Sequence, residues 1–319
     1  MQRPWWMQRL VLLAPLFLVP QPDAMAAAPQ VKTNAGYYRM MIGDFEVTAL
    51  SDGTVDLEVA KLLTNTTPAK VNAALGRVFL KDPVETSVNA FLVNTGEKLV
   101  LIDTGAGALF GPTLGKLATS LVAAGYQPEQ VDEIYITHMH PDHVGGLSSG
   151  DKLAFPNAIV RADKREASFW LSQSNLDKAP AANKGFFQGA MGAVKPYVAA
   201  DRFKPFDGNA VLVPGIRAVA ARGHTVGHVI YVIENKGQRL TLWGDLMHVA
   251  ALQFADPSVT IRFDTDSTAA AAQRKKEFAD AAKRGQWVGA AHLPFPGIGH
   301  IRSEGQGYVW VPANYSVPR

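Results

Sequence analysis

Three histidines and one aspartate fall within six consecutive positions, as His138, His140, Asp142 and His143. The residues before them form an apolar run that is typical of a β-strand. Because side chains two positions apart in an extended segment point the same way, His138 and His140 are predicted to bind one ion. Pro141 is predicted to turn the chain, so that Asp142 and His143 reach a second point. Imidazole and carboxylate groups suit zinc and related cations, so the pattern indicates two metal ions whose sites keep open positions for water and substrate.

Further candidate ligands follow other predicted strands and lie beside small residues that let ligands crowd: His224, Asp245 and His292. They argue against the alternative that the histidine-rich turn is an accident or a surface trap for metals. Asp245 has an alternative role of its own, since a carboxylate after a strand also caps helices, here one beginning at Leu246. Two oxygens and a negative charge suit Asp245 better to bridging two cations.

Runs of β-branched and aromatic residues bounded by turn residues predict the strands that position these ligands. The predicted strands cover residues 45–50, 88–93, 98–102, 131–136, 157–161, 215–221, 229–234, 239–243 and 287–291. Helical apolar spacing and Gly or Pro stop signals predict the helices. The predicted helices cover residues 114–124, 164–173, 186–198 and 268–284, and residues 177–184 are predicted to form a lid.

Two strand-rich halves whose strand ends meet at one edge predict a four-layer αββα sandwich of the α/β class. Both sheets lie inside and helices cover both outer faces. Since no linker separates the halves, we expect a single domain over residues 27–319.

The amino terminus resembles a secretory signal. Arg3 and Arg9 flank the short apolar stretch 10–19, and Ala24-Met25-Ala26 follows as a small-x-small cleavage pattern. The apolar stretch is too short for the alternative of a membrane-spanning anchor. No cysteine is present, so neither a lipid anchor nor a disulfide framework is available. We expect residues 1–26 to be removed and the protein to be exported to a periplasm or beyond.

The charge balance names no macromolecular partner. The chain has 31 basic and 28 acidic side chains, and without residues 1–26 the formal charge is +2. No basic run or basic stripe with interleaved aromatic residues occurs, so nucleic acid is not expected as a substrate. We expect a small-molecule substrate, and no stable membrane insertion after cleavage.

The histidine motif of residues 136–146 and the three later ligand candidates resemble the metallo-β-lactamase superfamily. A resemblance to a more specific subgroup extends over nearly the whole mature chain, which is similar to the methyl parathion hydrolases and their lactone-hydrolysing relatives. The segments that carry this narrower resemblance are 43–45, 109–113, 125–133, 169–171 and 295–302.

The resemblance implies a homodimeric hydrolase with two divalent metal ions, expected to be zinc, and a metal-bridging hydroxide as nucleophile. The ligand set that it implies is His138, His140 and His224 for one ion, Asp142, His143 and His292 for the other, and Asp245 for both. Asp142 and Asp245 are thereby implied in catalysis as well. Asp103 is expected to accept a ring N–H from a ligand histidine, with a plain turn residue as the alternative.

The resemblance also implies a leaving-group pocket lined by Phe110, Trp170 and Phe186, although aromatic residues are otherwise more often core. His248 departs from the apolar residue expected in parathion-hydrolysing relatives. It offers a hydrogen bond to a lactone or ester and restricts room, with a satisfied core histidine as the alternative.

We therefore expect a lactone and aryl-ester hydrolase of the dihydrocoumarin-hydrolysing kind, with at most weak phosphotriesterase activity. One alternative is a methyl parathion hydrolase whose main activity is on phosphotriesters. A β-lactamase would share the metals, but nothing in the sequence points to recognition of its substrate's carboxylate. The alternative from another class is a non-catalytic exported zinc-binding protein.

Overall fold

The strands of this protein alternate buried side chains between two faces, and this pattern builds two stacked sheets. The computed structural model describes residue 28 and residues 30–318. The strands are β1 (Tyr37–Ile42), β2 (Phe45–Leu57), β3 (Leu63–Thr64), β4 (Val84–Asn94), β5 (Leu99–Ile102), β6 (Glu133–Tyr135), β7 (Ser148–Ser149), β8 (Lys152–Leu153), β9 (Ile159–Arg161), β10 (Ala210–Val213), β11 (Ile216–Ala220), β12 (Val229–Asn235), β13 (Gln238–Leu242), β14 (Thr260–Ile261), β15 (Trp287–Gly289), β16 (Ile298–Glu304) and β17 (Gly307–Pro312).

Helices lie between and after these strands. They are α1 (Val59–Leu62), α2 (Pro68–Arg77), α3 (Leu117–Ala123), α4 (Pro141–Val144), α5 (Lys164–Trp170), α6 (Gln173–Lys178), α7 (Lys184–Ala199), α8 (Ala250–Gln253) and α9 (Ser267–Arg284). Short 3-10 turns occur at Pro128–Gln130, Gly145–Leu147 and Ala181–Asn183. Within the described ranges, no helix is both long and apolar enough to span a bilayer.

The first sheet has the order β1-β2-β4-β5-β6-β9, and the second has the order β10-β11-β12-β13-β15-β16-β17. In β4, Phe91 and Val93 point into a core that they share with Tyr231 and Ile233 of β12 in the second sheet. Leu92 points the other way, into a core built with helices α3, α5 and α7. This alternation follows from the two-residue period of a strand and gives the first sheet a buried surface on both faces.

Helix α9 covers the outer face of the second sheet. Phe278 on α9 is fully buried in a cluster with Ile230 of β12 and Val288 of β15. The Asp266 carboxylate caps the helix by accepting from the Ala269 N–H at 3.0 Å, and Gly285 ends it at a φ of 59°. The result is the predicted four-layer αββα sandwich, which is the metallo-β-lactamase fold.

Two predicted helices have different bounds because side chains cap the backbone differently. The helix predicted from 114 begins at Leu117, since Gly115 has a φ of 78° and the Leu117 N–H donates to Asp52 instead. The helix predicted over 164–173 ends at Trp170, and Ser172 caps a separate helix, α6. The predicted lid at 177–184 contains the end of α6 and a 3-10 turn rather than a loop.

The chain divides into Met1–Asn34 and a compact unit, Ala35–Arg319. The predicted signal peptide at residues 1–26 lies outside the described residues, so it stays a prediction, as does the boundary at residue 27.

Candidate metal centre

The seven predicted ligands converge at one end of the sandwich. His138, His140, His224 and Asp245 form one group, and Asp142, His143, Asp245 and His292 form a second. Within each group every residue offers a ligand atom that lies within 4.8 Å of the others. Asp245 belongs to both groups.

The route by which the chain delivers the first two histidines differs from the strand alternation predicted for them. Strand β6 ends at Tyr135, and His138 lies in the loop that follows it. His140 is the residue before helix α4, whose first residue is Pro141. For Asp142 and His143, the predicted turn at Pro141 is the first turn of this short helix, where Pro fits well.

The Asp245 carboxylate lies at the centre of the cluster. Its Oδ1 is 3.1 Å from His143 Nε2 and 3.2 Å from His292 Nε2. Its Oδ2 is 3.3 Å from His224 Nε2 and 3.5 Å from His138 Nε2. His292 Nε2 is also 3.2 Å from Oδ2. Oδ2 therefore contacts histidines of both groups, while Oδ1 faces the second group. Helix α8 begins only at Ala250, so the alternative of a cap on a helix from Leu246 is wrong.

Hydrogen bonds to the far ring nitrogen fix which atom several histidines present to the cluster. His292 Nδ1 lies 3.0 Å from the Ser87 carbonyl, which only accepts, so Nδ1 carries the proton. His143 Nδ1 lies 2.8 Å from Asp103 Oδ2, and His224 Nδ1 lies 2.9 Å from Asp264 Oδ1. In its neutral form, each of these three rings carries its proton on Nδ1 and has a free electron pair on Nε2, as a metal ligand requires.

His138 is oriented through Thr137 and Asp103. The Thr137 hydroxyl donates to Asp103 Oδ2 at 2.8 Å, so its oxygen can accept from His138 Nδ1 at 3.1 Å. His140 differs, since its Nδ1 faces His224 Nε2 at 3.1 Å. Asp103 is thus placed against His143 and the loop before His138, as expected for a residue that orients ligand histidines.

The cluster fits a cation because it leaves buried polar atoms without a partner. His138 Nε2, His143 Nε2 and Asp245 Oδ1 have no hydrogen bond although all three are buried. Ligand atoms about 2.0–2.1 Å from a tetrahedral zinc ion lie roughly 3.3 Å apart. The separations around Asp245 agree with this value.

Electrostatics keep a negative charge on Asp245. Burial alone would raise the pKa of its carboxyl, but the surrounding imidazoles, His143 first and then His292, hold that pKa well below the usual range. Burial lowers the pKa of His138 and His140 well below their ordinary value. Burial acts in the same direction on His143, yet Asp245, Asp142 and Asp103 raise its pKa well above normal. A carboxylate that stays ionised can neutralise part of the charge of two nearby cations.

Two glycines allow the crowding. Gly244, just before Asp245, has a φ of 54°, and a Cβ there would lie 2.8 Å from the Thr137 Cβ. Gly223, just before His224, has a φ of 135°, and a Cβ there would lie 2.2 Å from the Ala270 amide nitrogen of α9. Only glycine fits such backbone angles and such close approach.

Residues 83–284 match the metallo-beta-lactamase superfamily. This chain belongs to the metallo-β-lactamase superfamily. Among solved structures, the chain is similar to the hydrolase AbOPH of the beta lactamase superfamily, with 41% identity, a TM-score of 0.85, and coverage of 90% of this chain and 100% of the other. It is also similar to AidC, a dizinc quorum-quenching lactonase in complex with the product N-hexanoyl-L-homoserine, with 29% identity, a TM-score of 0.82, and coverage of 88% and 99%.

Curated relatives in this superfamily are more distant. The acyl-coenzyme A thioesterase MBLAC2 of Bos taurus is 27% identical over 180 residues, which are 51% of this chain and 60% of the relative. The N-acyl homoserine lactonase of Bacillus cereus is 25% identical over 206 residues, which are 59% and 74%. The chain thus spans less than two thirds of the thioesterase.

In the present protein, an apolar cavity of about 150 Å³ lies over the second ligand group. Its walls are Val55, Leu57, Phe110, Leu114, His140, Asp142, Phe186, Asp245, His248, Phe263 and His292. A second cavity, of about 260 Å³, adjoins it across Phe186, Phe263 and His140, and it is lined also by Trp170. The cavity directly over the candidate metal ligands is therefore small and mostly apolar.

Of Phe110, Trp170 and Phe186, which were predicted to line a leaving-group pocket, the structure places two around the cavity over the ligands. Phe110 and Phe186 line the cavity over the ligands, whereas Trp170 lines the neighbouring cavity. Trp170 is 5% exposed, and its ring meets His140 edge-on at 5.2 Å. Phe186 lies between the two spaces because α7 begins beside both.

His248 lies in the cavity wall but directs its ring differently from the expectation. Its Nε2 is 3.1 Å from Asp245 Oδ2, and its ring stacks on His292 at 5.0 Å. Burial lowers the pKa of His248 to about 4, so the ring is neutral. Since Nε2–H donates to Asp245, only Nδ1 remains, and it accepts rather than donates. The predicted hydrogen bond to a substrate carbonyl is therefore not available from this ring orientation, while the predicted restriction of room is.

Several residues at the site carry no sequence signal that singles them out. Asp264 orients His224, and Phe263 beside it lines both cavities. Arg274 of α9 is fully buried and donates to the Leu246 carbonyl at 2.7 Å, which supports the segment after Asp245. Buried arginine and aspartate side chains usually have fixed polar partners. This preference does not tell from the sequence which partners Asp264 and Arg274 have.

Proposed function

We propose that this protein is a metal-dependent hydrolase that opens lactones and cleaves aryl esters. The observation that supports the proposal is one buried carboxylate, Asp245, shared by two groups of ligands beneath a small apolar cavity. Two divalent cations, for which zinc is our proposal, suit these imidazole and carboxylate donors. Aryl and lactone substrates suit the cavity because its wall is apolar and aromatic.

The relatives support acyl chemistry. AidC is a lactonase that binds two zinc ions, and the other relatives are an acyl-coenzyme A thioesterase and an N-acyl homoserine lactonase. In all three reactions water cleaves the bond between an acyl carbon and a heteroatom. We infer the same reaction class for this chain.

When bound, a pair of divalent cations supplies an acidified water as nucleophile and a Lewis acid for the substrate oxygen. His138, His140 and His224 would hold one cation, Asp142, His143 and His292 would hold the other, and Asp245 would contact both. Asp103, Asp264 and the Ser87 carbonyl hold the rings of His143, His224 and His292 in the tautomer that leaves Nε2 free. Such partners keep the ligand geometry fixed before substrate arrives.

The cavity residues select the substrate. Phe110 and Phe186 offer aromatic faces to a leaving group, and Phe263 closes the wall. His248 narrows the space beside Asp245. A planar ester or lactone needs less room than a tetrahedral phosphotriester with two alkoxy groups. A phenol leaves with a pKa near 10 or below, so an aryl ester depends little on a general acid.

A substrate panel on zinc-loaded protein tests the proposal. The panel contains dihydrocoumarin, an N-acyl homoserine lactone, phenyl acetate, methyl parathion and nitrocefin. We expect the lactones and the aryl ester to have the highest kcat/KM. Preference for methyl parathion by orders of magnitude would instead establish phosphotriesters as the main substrates. Turnover of nitrocefin above all others would indicate a β-lactamase, and no turnover at full metal loading would indicate a zinc-binding protein.

We further propose that the protein is exported with cleavage after Ala26 and forms a homodimer. The first rests on the signal pattern in residues 1–26, and the second rests on resemblance alone. The intact mass of the protein recovered from the periplasmic fraction tests the cleavage site. Light scattering coupled to size-exclusion chromatography tests the dimer, and a monomer mass would contradict it.

A further inference from the structure

A buried carboxylate that is not itself a candidate metal ligand connects the parts of the site that carry the first ligand group. Glu166 lies on α5 and is 0% exposed. Its Oε1 accepts from the Met139 N–H at 3.0 Å and from the Trp170 indole N–H at 2.6 Å. Its Oε2 accepts from the Thr225 hydroxyl at 2.9 Å and from the Gly227 N–H at 2.7 Å. Four donors therefore converge on one side chain.

These donors come from the two loops that supply the imidazoles of one ligand group. Met139 lies between His138 and His140, and Thr225 directly follows His224. The carboxylate of Glu166 thus ties together the two loops that bear all three of these histidines. The second ligand group has other supports, since Asp103 orients His143 and the Ser87 carbonyl orients His292.

Trp170 extends the connection to the cavity wall. Its indole N–H is held by Glu166, and its ring lies edge-on to His140. Gly227 is required for the close approach on the other side, because a Cβ there would lie 2.5 Å from the Glu166 amide nitrogen. One side chain therefore fixes a histidine-bearing loop, a second such loop and an aromatic wall at the same time.

The chemistry of the four partners argues that this arrangement serves more than stability. All four are neutral donors, and burying a carboxylate without a cationic partner is costly unless its oxygens are fully hydrogen-bonded. An apolar residue would fill the same space at lower cost, but it could not hold three backbone or side-chain donors of two separate loops in register.

We propose that Glu166 is a positioning residue that sets the affinity of the His138, His140 and His224 group for its metal ion. The proposal rests on the proposed function only in requiring that the two groups bind cations. Substitution of Glu166 should weaken the binding of one of the two ions. The affinity for the other ion should stay nearly unchanged, because the second group has its own supports.

Glu166→Gln tests this with little change of shape. The glutamine amide keeps one acceptor oxygen. Its NH2 group faces two donors and cannot accept a hydrogen bond from either. Asp163→Asn is the matched control, because Asp163 is also a buried carboxylate and caps the N-terminus of the same helix. Asp163 accepts from the Arg165 and Gly208 N–H groups at 2.7 and 2.9 Å and touches neither histidine loop. Glu166→Gln leaves two buried donors without an acceptor and Asp163→Asn leaves one, but only the first substitution affects the histidine loops.

The measurement is the affinity for zinc at each of the two sites, by chelator competition without substrate, together with the visible spectrum of the cobalt-loaded protein. In Glu166→Gln we expect one ion to bind about 10- to 100-fold more weakly, as for other partners of metal ligands. The second ion should keep its affinity, and both should be unchanged in Asp163→Asn. The cobalt spectrum should change in Glu166→Gln alone.

Equal loss of affinity in both carboxylate variants, or two unchanged affinities in Glu166→Gln, would overturn the proposal. Should Glu166→Gln fail to fold, Thr225→Val removes a single donor and should weaken the same ion to a smaller extent. An unchanged ion in Thr225→Val would then count against the role of Glu166. A wild-type protein that binds two ions but hydrolyses nothing would contradict the proposed function and leave this inference intact.

Discussion

At the scale of single residues, Asp245 is the point on which both ligand groups depend. Its two oxygens together contact histidines of both groups, and its ionised state is maintained by the imidazoles around it. A neutral side chain of the same shape would keep the packing but remove the charge that two adjacent cations require. Substitution of Asp245 is therefore the most direct test of the binuclear site.

Asp245→Asn should reduce the metal content of purified protein below two ions per chain. It should also lower kcat/KM by at least about 100-fold, the upper end of the effect of partners of metal ligands. Elemental analysis after dialysis and steady-state kinetics measure the two effects. Asp256→Asn is the control, since Asp256 is exposed and lies outside the cluster. Retention of both ions in Asp245→Asn would contradict the bridging role.

We expect His248 to determine the preference between lactone and phosphotriester substrates. Replacing it by leucine removes a ring that stacks on His292 and narrows the cavity. His248→Leu should raise the ratio of phosphotriester to lactone kcat/KM by about 10- to 200-fold, the range of small changes in pocket shape. Assays of methyl parathion and dihydrocoumarin on both proteins give this ratio. An unchanged ratio would mean that His248 does not limit the room for substrate.

At the scale of elements, the loop between β5 and α3 is held by the side chain of one strand residue. The Asp52 carboxylate is buried and accepts from the N–H groups of Ala106, Gly115 and Leu117 at 2.9, 3.0 and 3.0 Å. The loop between these anchors carries Phe110 and Leu114 into the cavity wall. The position of that wall therefore depends on an element outside the metal cluster.

Asp52→Asn should disturb the cavity wall without changing the metal content. The amide cannot accept with both of its polar atoms, so at least one buried donor loses its partner, at a cost of about 1–3 kcal/mol in unfolding free energy. We expect a higher KM for aryl esters with two ions still bound. Asp56→Asn on the same strand is the control because Asp56 is exposed. Unaltered KM values would show that the three bonds do not set the wall.

At the scale of the whole molecule, the ligands come from both halves of the sandwich. His138 follows a strand of the first sheet, whereas Asp245 and His292 follow strands of the second. A cation bound between them would bind only the folded protein and thus stabilise it. The metal centre is in this sense part of the fold as well as of the site.

Chelation should therefore lower the melting temperature together with the activity. A ligand present at 100 times its dissociation constant stabilises the folded state by about 2.7 kcal/mol, which amounts to several degrees in a domain of this size. Differential scanning calorimetry of the chelated and the zinc-restored protein measures the shift, and magnesium serves as the control ion. A melting temperature that does not respond to zinc would contradict a site built from both halves.

Local patterns in the sequence were enough to predict several features of the site and of the fold. The spacing of His138, His140, Asp142 and His143 within six positions identified four of the seven candidate metal ligands. Alternation of apolar residues located the main strands, and the helix predicted from 268 to 284 begins one residue earlier in the structure and ends where predicted. These patterns were readable because strand alternation, helical spacing and caps depend on residues within a few positions of each other.

The orientation of the side chains and the cavity that each one enters depend on tertiary packing, which local patterns do not encode. The His292 ring is fixed by a carbonyl 205 positions away, and Glu166 joins loops 27 and 61 positions from it. Trp170 lies in a separate cavity, and the His248 N–H is taken by Asp245. Nothing local in a sequence encodes such pairs, because each depends on the packing of both sheets and on which buried donors still lack an acceptor once the chain has folded.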